Sequence, residues 1–98
     1  MIVKVRGKTY TIDAAIDAVK ANLFNTCKNG HVKITDVPPE MFGKSKNACD
    51  IYLLNSGKPI SYVIIDKLAL KVLFYDLAKN ITDTMTFEEY LIDTDYNR

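Results

Sequence analysis

The residues best suited to chemistry in this sequence are its two cysteines and its single histidine. Cys27 and His31 lie four positions apart, and Cys49 lies 22 positions after Cys27. A structural zinc site needs four ligands, generally in two close pairs, and a thiol nucleophile needs a neighbour that activates it. One loose pair and one distant cysteine satisfy neither requirement. The sequence therefore predicts no metal, no cofactor and two reduced, partly buried thiols.

The tripeptide Gly43-Lys44-Ser45 matches the last three positions of a phosphate-binding loop. The complete motif requires a glycine five positions before Gly43, where Pro38 stands. A helix must also follow, because its free amides hold the phosphate, whereas a strand-like segment follows here. No serine lies in a nucleophile elbow, and no base, nucleophile and oxyanion donor come together. The sequence therefore predicts a polar loop at residues 40–48 and a protein that is not an enzyme.

Charge is unevenly distributed along the chain. The 98 residues carry a formal net charge of +1. Residues 1–48 hold eight basic and four acidic residues, a balance of +4, whereas residues 49–98 hold five basic and eight acidic residues, a balance of −3. A net charge near zero does not indicate nucleic-acid or membrane binding. The small net charge nevertheless results from a basic first half and an acidic second half, so the fold can still gather residues of one charge on one surface.

Acidic residues in the last part of the chain are interleaved with aromatic and aliphatic ones. Between Asp83 and Arg98 there is no basic residue. Such a segment is either a solvated helix docked through Phe87 and Leu91, or an acidic–aromatic face that steers a basic partner. The candidate partner-binding residues are Phe87, Glu88, Glu89, Tyr90, Asp93, Asp95 and Tyr96. The loop at residues 41–46 is an alternative contact surface.

Basic residues of the first half support a second hypothesis, a nucleic-acid-binding regulatory domain. Affinity for nucleic acid depends on the neutralisation of phosphates, and lysines on strands and loops can supply it. The candidate nucleic-acid-binding residues are Lys4, Arg6, Lys8, Lys33, Lys44 and Lys46. Lysine outnumbers arginine eleven to two, so the planar fork that recognises phosphate and guanine is scarce. A protein partner is therefore the preferred hypothesis.

The strands that position these residues are predicted from alternation of period two. Residues 2–6 and 9–12 alternate around a glycine-containing interruption and predict a hairpin. Residues 31–37 predict a strand that ends at two prolines, which cannot donate to a ladder. Residues 50–54 and 60–65 flank a polar turn with a glycine and predict a second hairpin.

Two helices are predicted from apolar spacing and from capping residues. Residues 13–28 carry an apolar stripe at spacings of three and four. The stripe consists of Ile16, Val19, Leu23 and Cys27. Thr86 and Glu89 have the spacing of a capping box, which predicts a short helix after Thr86.

Residues 66–80 are compatible with two structures. Their apolar positions cover nearly all sides of a helix, and they are rich in good helix formers. Alternation within residues 67–75 also fits a strand. The length of the segment favours a largely buried helix with Asp66 as its N-cap, and its apolar surface further predicts a homodimer.

These elements predict one α+β domain over residues 1–98, in the order ββαβββαα. Two hairpins and a strand form a mostly antiparallel sheet, and two to three helices pack on one face. No secretory signal is visible, and the most apolar stretch, residues 60–78, contains four charged residues, so a cytoplasmic protein is expected.

The expected function is that of a small non-enzymatic binding protein that modulates or inhibits a macromolecular partner. The chain has ten isoleucines, seven asparagines and six tyrosines beside its many lysines. Codons for these residues are AT-rich, which is typical of low-GC bacteria and of their phages and plasmids. The expected class is therefore a phage or mobile-element accessory protein that acts in host takeover or against host defence.

Overall fold

The computed structural model describes residues 2–28 and 32–93, apart from the side chains of Thr26 and Lys28. Its strands are β1 (Ile2–Val5), β2 (Lys8–Thr11), β3 (Lys33–Val37), β4 (Cys49–Asn55), β5 (Pro59–Asp66), β6 (Lys71–Tyr75) and β7 (Ile81–Thr86). The helices are α1 (Ile12–Lys28) and α2 (Phe87–Asp93), and Pro39–Phe42 form a short 3-10 helix. β1 and β2 make an antiparallel hairpin, and β3 to β7 make one antiparallel sheet in sequence order. The α+β fold that the sequence predicts is confirmed.

The first hairpin and the first helix form where the sequence predicts them. Arg6 and Gly7 both have positive φ, 51° and 81°, which is the backbone of a tight hairpin turn that follows the twist of the strands. The hydroxyl of Thr11 accepts a hydrogen bond from the amide of Ala14 at 3.2 Å, so Thr11 caps the start of α1. β1 turns Val3 and Val5 inwards and leaves Ile2 exposed.

The prediction of a helix over residues 66–80 is wrong. The carboxylate of Asp66 does accept hydrogen bonds from the amides of Leu68 (3.1 Å) and Ala69 (2.9 Å), as an N-cap does. The turn stops after one cycle, because Leu70 adopts a left-handed conformation with φ of 56°. The chain then reverses into β6, and a second turn leads into β7.

Apolar residues of β6 point in both directions because the five-stranded sheet has a core on each face. The inner face packs against α1 and α2, which also contact the first hairpin, and the outer face packs against the 3-10 helix. Val72 belongs to the inner core, whereas Leu73 and Tyr75 belong to the outer one. A strand between two cores is apolar on all sides, as a buried helix is, so the two patterns could not be told apart from this segment alone.

The outer core is small and is closed by aromatic contacts. Phe42 packs edge to face against Tyr62 and Tyr75, with ring centroids 5.0 and 5.3 Å away. The homodimer prediction relied on a helix with excess apolar surface. Val72 and Tyr75 of this segment are buried within the chain, so the segment no longer supplies that excess surface. The homodimer stays a prediction.

The two cysteines lie in different cores. Cys27 of α1 belongs to the inner core, Cys49 of β4 belongs to the outer core, and both are free thiols. The sheet separates them, so they do not pair with each other, in agreement with the prediction. Within the described ranges, no helix is both long and apolar enough to cross a membrane.

Candidate functional site

The start of α2 is fixed by the capping box that the sequence predicts. The hydroxyl of Thr86 accepts a hydrogen bond from the amide of Glu89 at 3.0 Å, and the Glu89 carboxylate accepts one from the amide of Thr86 at 3.0 Å. Both contacts with Thr86 hold the pKa of Glu89 below its ordinary value, because the backbone amide and the hydroxyl group stabilise the ionised form. Glu89 therefore stabilises the start of α2 and also contributes a negative charge to the surface of the helix.

α2 presents acidic side chains on two exposed flanks. Its buried residues are Phe87, Tyr90 and Leu91. At 3.6 residues per turn, Glu88 and Ile92 share the flank next to Leu91, whereas Glu89 and Asp93 share the flank next to Tyr90. All four of these flanking residues are exposed. The two flanks therefore face different surroundings and can be tested separately.

An open cleft of about 330 Å³ lies beside the Glu89–Asp93 flank, and we call it the α2 cleft. It is bounded by α1, by α2 and by the inner face of the sheet. Six apolar or aromatic residues line it: Leu23, Cys27, Leu54, Phe74, Met85 and Tyr90. The carboxyl groups of Asp83, from β7, and Asp93, from α2, complete the lining. No basic residue is among these lining residues, all of which lie in the described part of the chain.

The other polar groups of the α2 cleft are neutral at physiological pH. Burial, with a smaller effect from Cys27, raises the pKa of Tyr90 to about 12, and burial raises the pKa of the Cys27 thiol. A protonated thiol is a poor nucleophile, and a protonated phenol is not a base. The α2 cleft therefore combines apolar walls with two acidic residues, Asp83 and Asp93.

The predicted partner-binding residues occupy different places. Glu88, Glu89 and Asp93 face outwards. Phe87 is buried at 1% exposure, and Tyr90 reaches the surface only as part of the cleft wall. The i, i+3, i+4 spacing of Phe87, Tyr90 and Leu91 could have identified them as a core stripe. Asp95 and Tyr96 lie outside the described residues.

Sequence reasoning missed the part of the α2 cleft that the sheet contributes. Leu54, Phe74 and Met85 come from three strands and meet α1 and α2 only in the folded chain. Asp83 is the one member with a local signal, since it begins the acidic stretch of the sequence. Its carboxylate accepts a hydrogen bond from the amide of Thr84 at 2.9 Å.

The predicted nucleic-acid-binding residues are distributed over three separate elements. Lys4, Arg6 and Lys8 belong to the first hairpin, which contacts α1 and α2. Lys33 begins β3, where its register with Asn55 places it on the outer face. Lys44 and Lys46 lie in the segment between the 3-10 helix and β4. The nucleic-acid hypothesis stays a prediction.

A second and larger cleft, of about 580 Å³, lies between α1, the end of β3 and the start of β4. Its charged lining includes Asp50, which forms an ion pair with Lys20 at 2.6 Å between Nζ and Oδ2. Lys67 lies 3.5 Å from the other carboxylate oxygen. Partial burial acts to raise the pKa of Asp50, but the two lysines outweigh it and hold the pKa below its ordinary value.

Two charged groups of this larger cleft, those of Lys20 and Asp50, form a structural contact. The carboxylate of Asp50 joins α1, through Lys20, to the sheet. Burial, together with the charges of Asp50 and Asp36, raises the pKa of Tyr52 to about 12, so its phenol stays protonated. The cleft therefore presents the Lys20–Asp50 ion pair and a neutral hydroxyl group beside the further charged residues Asp36, Glu40 and Lys46.

The described part of the chain contains no group of three or more His, Cys, Asp or Glu side chains that could hold a metal ion. His31, which the sequence pairs with Cys27, lies outside the described residues. Comparisons with protein-family models, with curated proteins and with solved structures found no match to this chain.

Proposed function

We propose that this protein is a small non-enzymatic binding protein that modulates or inhibits a partner protein by docking through α2. One observation carries the proposal. α2 is anchored by its apolar side, exposes Glu88, Glu89 and Asp93, and borders an open apolar cleft with the flank that carries Glu89 and Asp93. Acidic side chains beside an apolar cleft favour a basic partner and steer its approach.

The chemical state of the two clefts supports binding over catalysis. Tyr90 and Tyr52 both have pKa values raised to about 12, and burial raises the pKa of the Cys27 thiol. Asp50, whose pKa is lowered, is paired with two lysines. None of these groups is poised to transfer a proton or attack a substrate near neutral pH.

Composition and thiol chemistry support a cytoplasmic accessory protein of a phage or mobile element. Two free buried thiols are typical of proteins from reducing compartments. Abundant lysine, isoleucine and asparagine fit an AT-rich genome. In such a setting a small docking protein acts on a host factor, and the docking surface of α2 gives it a means of doing so.

Affinity capture with a charge-reversed variant tests the proposal. The Glu88→Lys/Asp93→Lys variant reverses both exposed flanks of α2 and leaves the capping residue Glu89 intact. The matched control, Asp13→Lys/Asp17→Lys, reverses two exposed acids of α1 that do not line the α2 cleft. We expect the wild type and the control to capture the same protein from lysate of the native host, identified by mass spectrometry, and the α2 variant to lose it.

Two results would contradict the proposal. One is capture that the α2 variant retains in full, because the acidic surface then plays no part. The other is capture that disappears on nuclease treatment and weakens steeply with salt, which would support the nucleic-acid hypothesis instead. Thermal unfolding of each variant verifies that a lost interaction does not reflect a lost fold.

A further inference from the structure

We infer that the α2 cleft receives a segment of a partner protein in which one large apolar side chain is flanked by lysine or arginine. The inference rests on the proposed function, and it specifies the chemistry of the partner and the side of α2 that contacts it. Two features of the described residues lead to it. They are the apolar lining of the cleft and the sign of the charges around it.

The size and lining of the α2 cleft fit an apolar anchor. Its volume of about 330 Å³ lies at the lower end of the range for ligand pockets, so it can admit a few groups and not an entire element. Leu54, Phe74 and Met85 are only partly buried, although they face the core side of the sheet. Covering them with an apolar side chain removes their surface from water, which is the general driving force for such docking.

The charges around the α2 cleft select a cationic neighbour for that anchor. Asp83 and Asp93 line the cleft, and Glu89 lies one turn before Asp93 on the same flank of α2. A ligand without positive charge would desolvate these carboxylates and offer no compensation. Lysine or arginine beside the anchor supplies the opposite charge, and arginine can also form paired hydrogen bonds with a carboxylate.

The direction of the two flanks makes the inference specific. The flank that carries Glu88 and Ile92 adjoins Leu91, whereas the α2 cleft is lined by Tyr90. A ligand seated in the cleft therefore contacts Asp83 and Asp93 and leaves Glu88 aside. The proposed function, by contrast, requires only that some exposed part of α2 meets the partner, so the two can fail separately.

The experiment selects ligands for the purified protein from a library of random short peptides displayed on phage. We expect the enriched peptides to combine a leucine, methionine or aromatic residue with a nearby lysine or arginine. The Asp83→Asn/Asp93→Asn variant, in which the new amide oxygen at position 83 can still accept the hydrogen bond from Thr84, should bind them about three- to tenfold more weakly. Asp17→Asn, which neutralises an exposed acid of α1 that does not line the α2 cleft, is the matched control and should bind within about twofold of the wild type. Glu88→Gln tests the other flank of α2 separately.

Filling the α2 cleft tests the apolar anchor. Met85→Trp places a bulky side chain in the cleft, and Leu54→Phe is a smaller change for the case in which the first variant does not fold. Either variant should weaken binding of the selected peptides by about tenfold or more, because the introduced side chain occupies the volume that the apolar anchor needs. Amide chemical shifts of the wild type should change at cleft residues and not along the Glu88–Ile92 flank.

Several outcomes would overturn the inference. Selection that enriches nothing, peptides that lack lysine and arginine, or affinities that neither neutralisation nor filling of the cleft reduces would each do so. If Glu88→Gln alone weakens binding, the other flank of α2 is the contact, and the proposed function stands while the cleft inference falls. Self-association of the wild type that Lys4→Glu abolishes would instead identify the occupant as a second copy, whose first hairpin exposes Ile2 beside Lys4.

Discussion

At the scale of single residues, the capping pair of α2 links its stability to the surface that it presents. Thr86 and Glu89 satisfy two free backbone amides at the start of a helix of only seven residues. A helix this short depends on capping and tertiary packing, because propagation alone cannot offset nucleation. Since Phe87 and Leu91 of α2 are buried in the inner core, loosening this helix exposes core surface.

Substitution of the cap should therefore destabilise the entire domain. We expect Thr86→Ala to lower the free energy of unfolding by about 0.5–2 kcal/mol, as loss of an N-cap hydroxyl does elsewhere. Thr86→Ser keeps the hydroxyl group and should recover most of that loss. Urea denaturation followed by circular dichroism measures both variants. Equal stability of Thr86→Ala and the wild type would show that the cap does not hold α2 in place.

The lowered pKa of Glu89 gives the same contact a dependence on pH. A carboxyl group whose pKa is lower in the folded state stabilises the fold above its unfolded value, and this contribution is lost as pH falls through the lowered pKa. The stability difference between the wild type and Glu89→Gln should be constant from about pH 7 to about pH 5 and shrink towards about pH 3. A difference that does not vary across this range contradicts the assignment.

At the scale of elements, local signals determined what could be predicted from sequence. The first hairpin, α1 and α2 were predicted because turn residues, caps and apolar spacing act within a few positions. The prediction for residues 66–80 was wrong because their local signals were misleading. Asp66 caps a single turn as it would cap a helix, and Leu70 ends that turn with its left-handed conformation. The segment forms a strand because the sheet has a core on each face. The residues that make up these cores lie mostly in other parts of the chain, so the segment alone could not show it.

The candidate site follows the same rule. Its acidic residues Glu88 and Asp93 were identifiable because they lie close together in the sequence. The α2 cleft was not, because strands, α1 and α2 contribute its walls from distant parts of the chain. Sequence patterns therefore indicated the charge of the surface and not its shape.

The turn at Asp66 offers a test at this scale. Asp66→Ala removes the acceptor of two backbone amides, those of Leu68 and Ala69, at the connection between β5 and β6. We expect the free energy of unfolding to fall by about 1–2 kcal/mol, with an unchanged denaturant slope. Asp66→Asn keeps an acceptor oxygen and should cost less. If both variants match the wild type, the carboxylate does not define this turn.

At the scale of the whole molecule, a single sheet supports two cores. Val63 and Ile64 are neighbours on β5 and are both fully buried, but Val63 packs into the inner core and Ile64 into the outer one. Each strand therefore contributes to both sides, and neither core can open without disturbing the ladder that the other needs. We infer that the domain unfolds as one cooperative unit, as small domains generally do.

The two thiols report on the two cores separately and can test this cooperativity. Cys49→Ala leaves Cys27 as the probe of the inner core, and Cys27→Ala leaves Cys49 as the probe of the outer core. Pulsed alkylation of each single-thiol variant in urea should label its thiol at the denaturant concentration at which that variant loses its circular dichroism signal, because burial protects the thiol only in the folded state. Ile64→Val, at a cost of about 0.5–1.5 kcal/mol, should move the Cys27 transition as far as the Cys49 transition. If Ile64→Val shifts the Cys49 transition alone, the outer core unfolds independently of the inner core. The stability of the α2 cleft would then depend on the inner core and on the two helices, and not on the outer core.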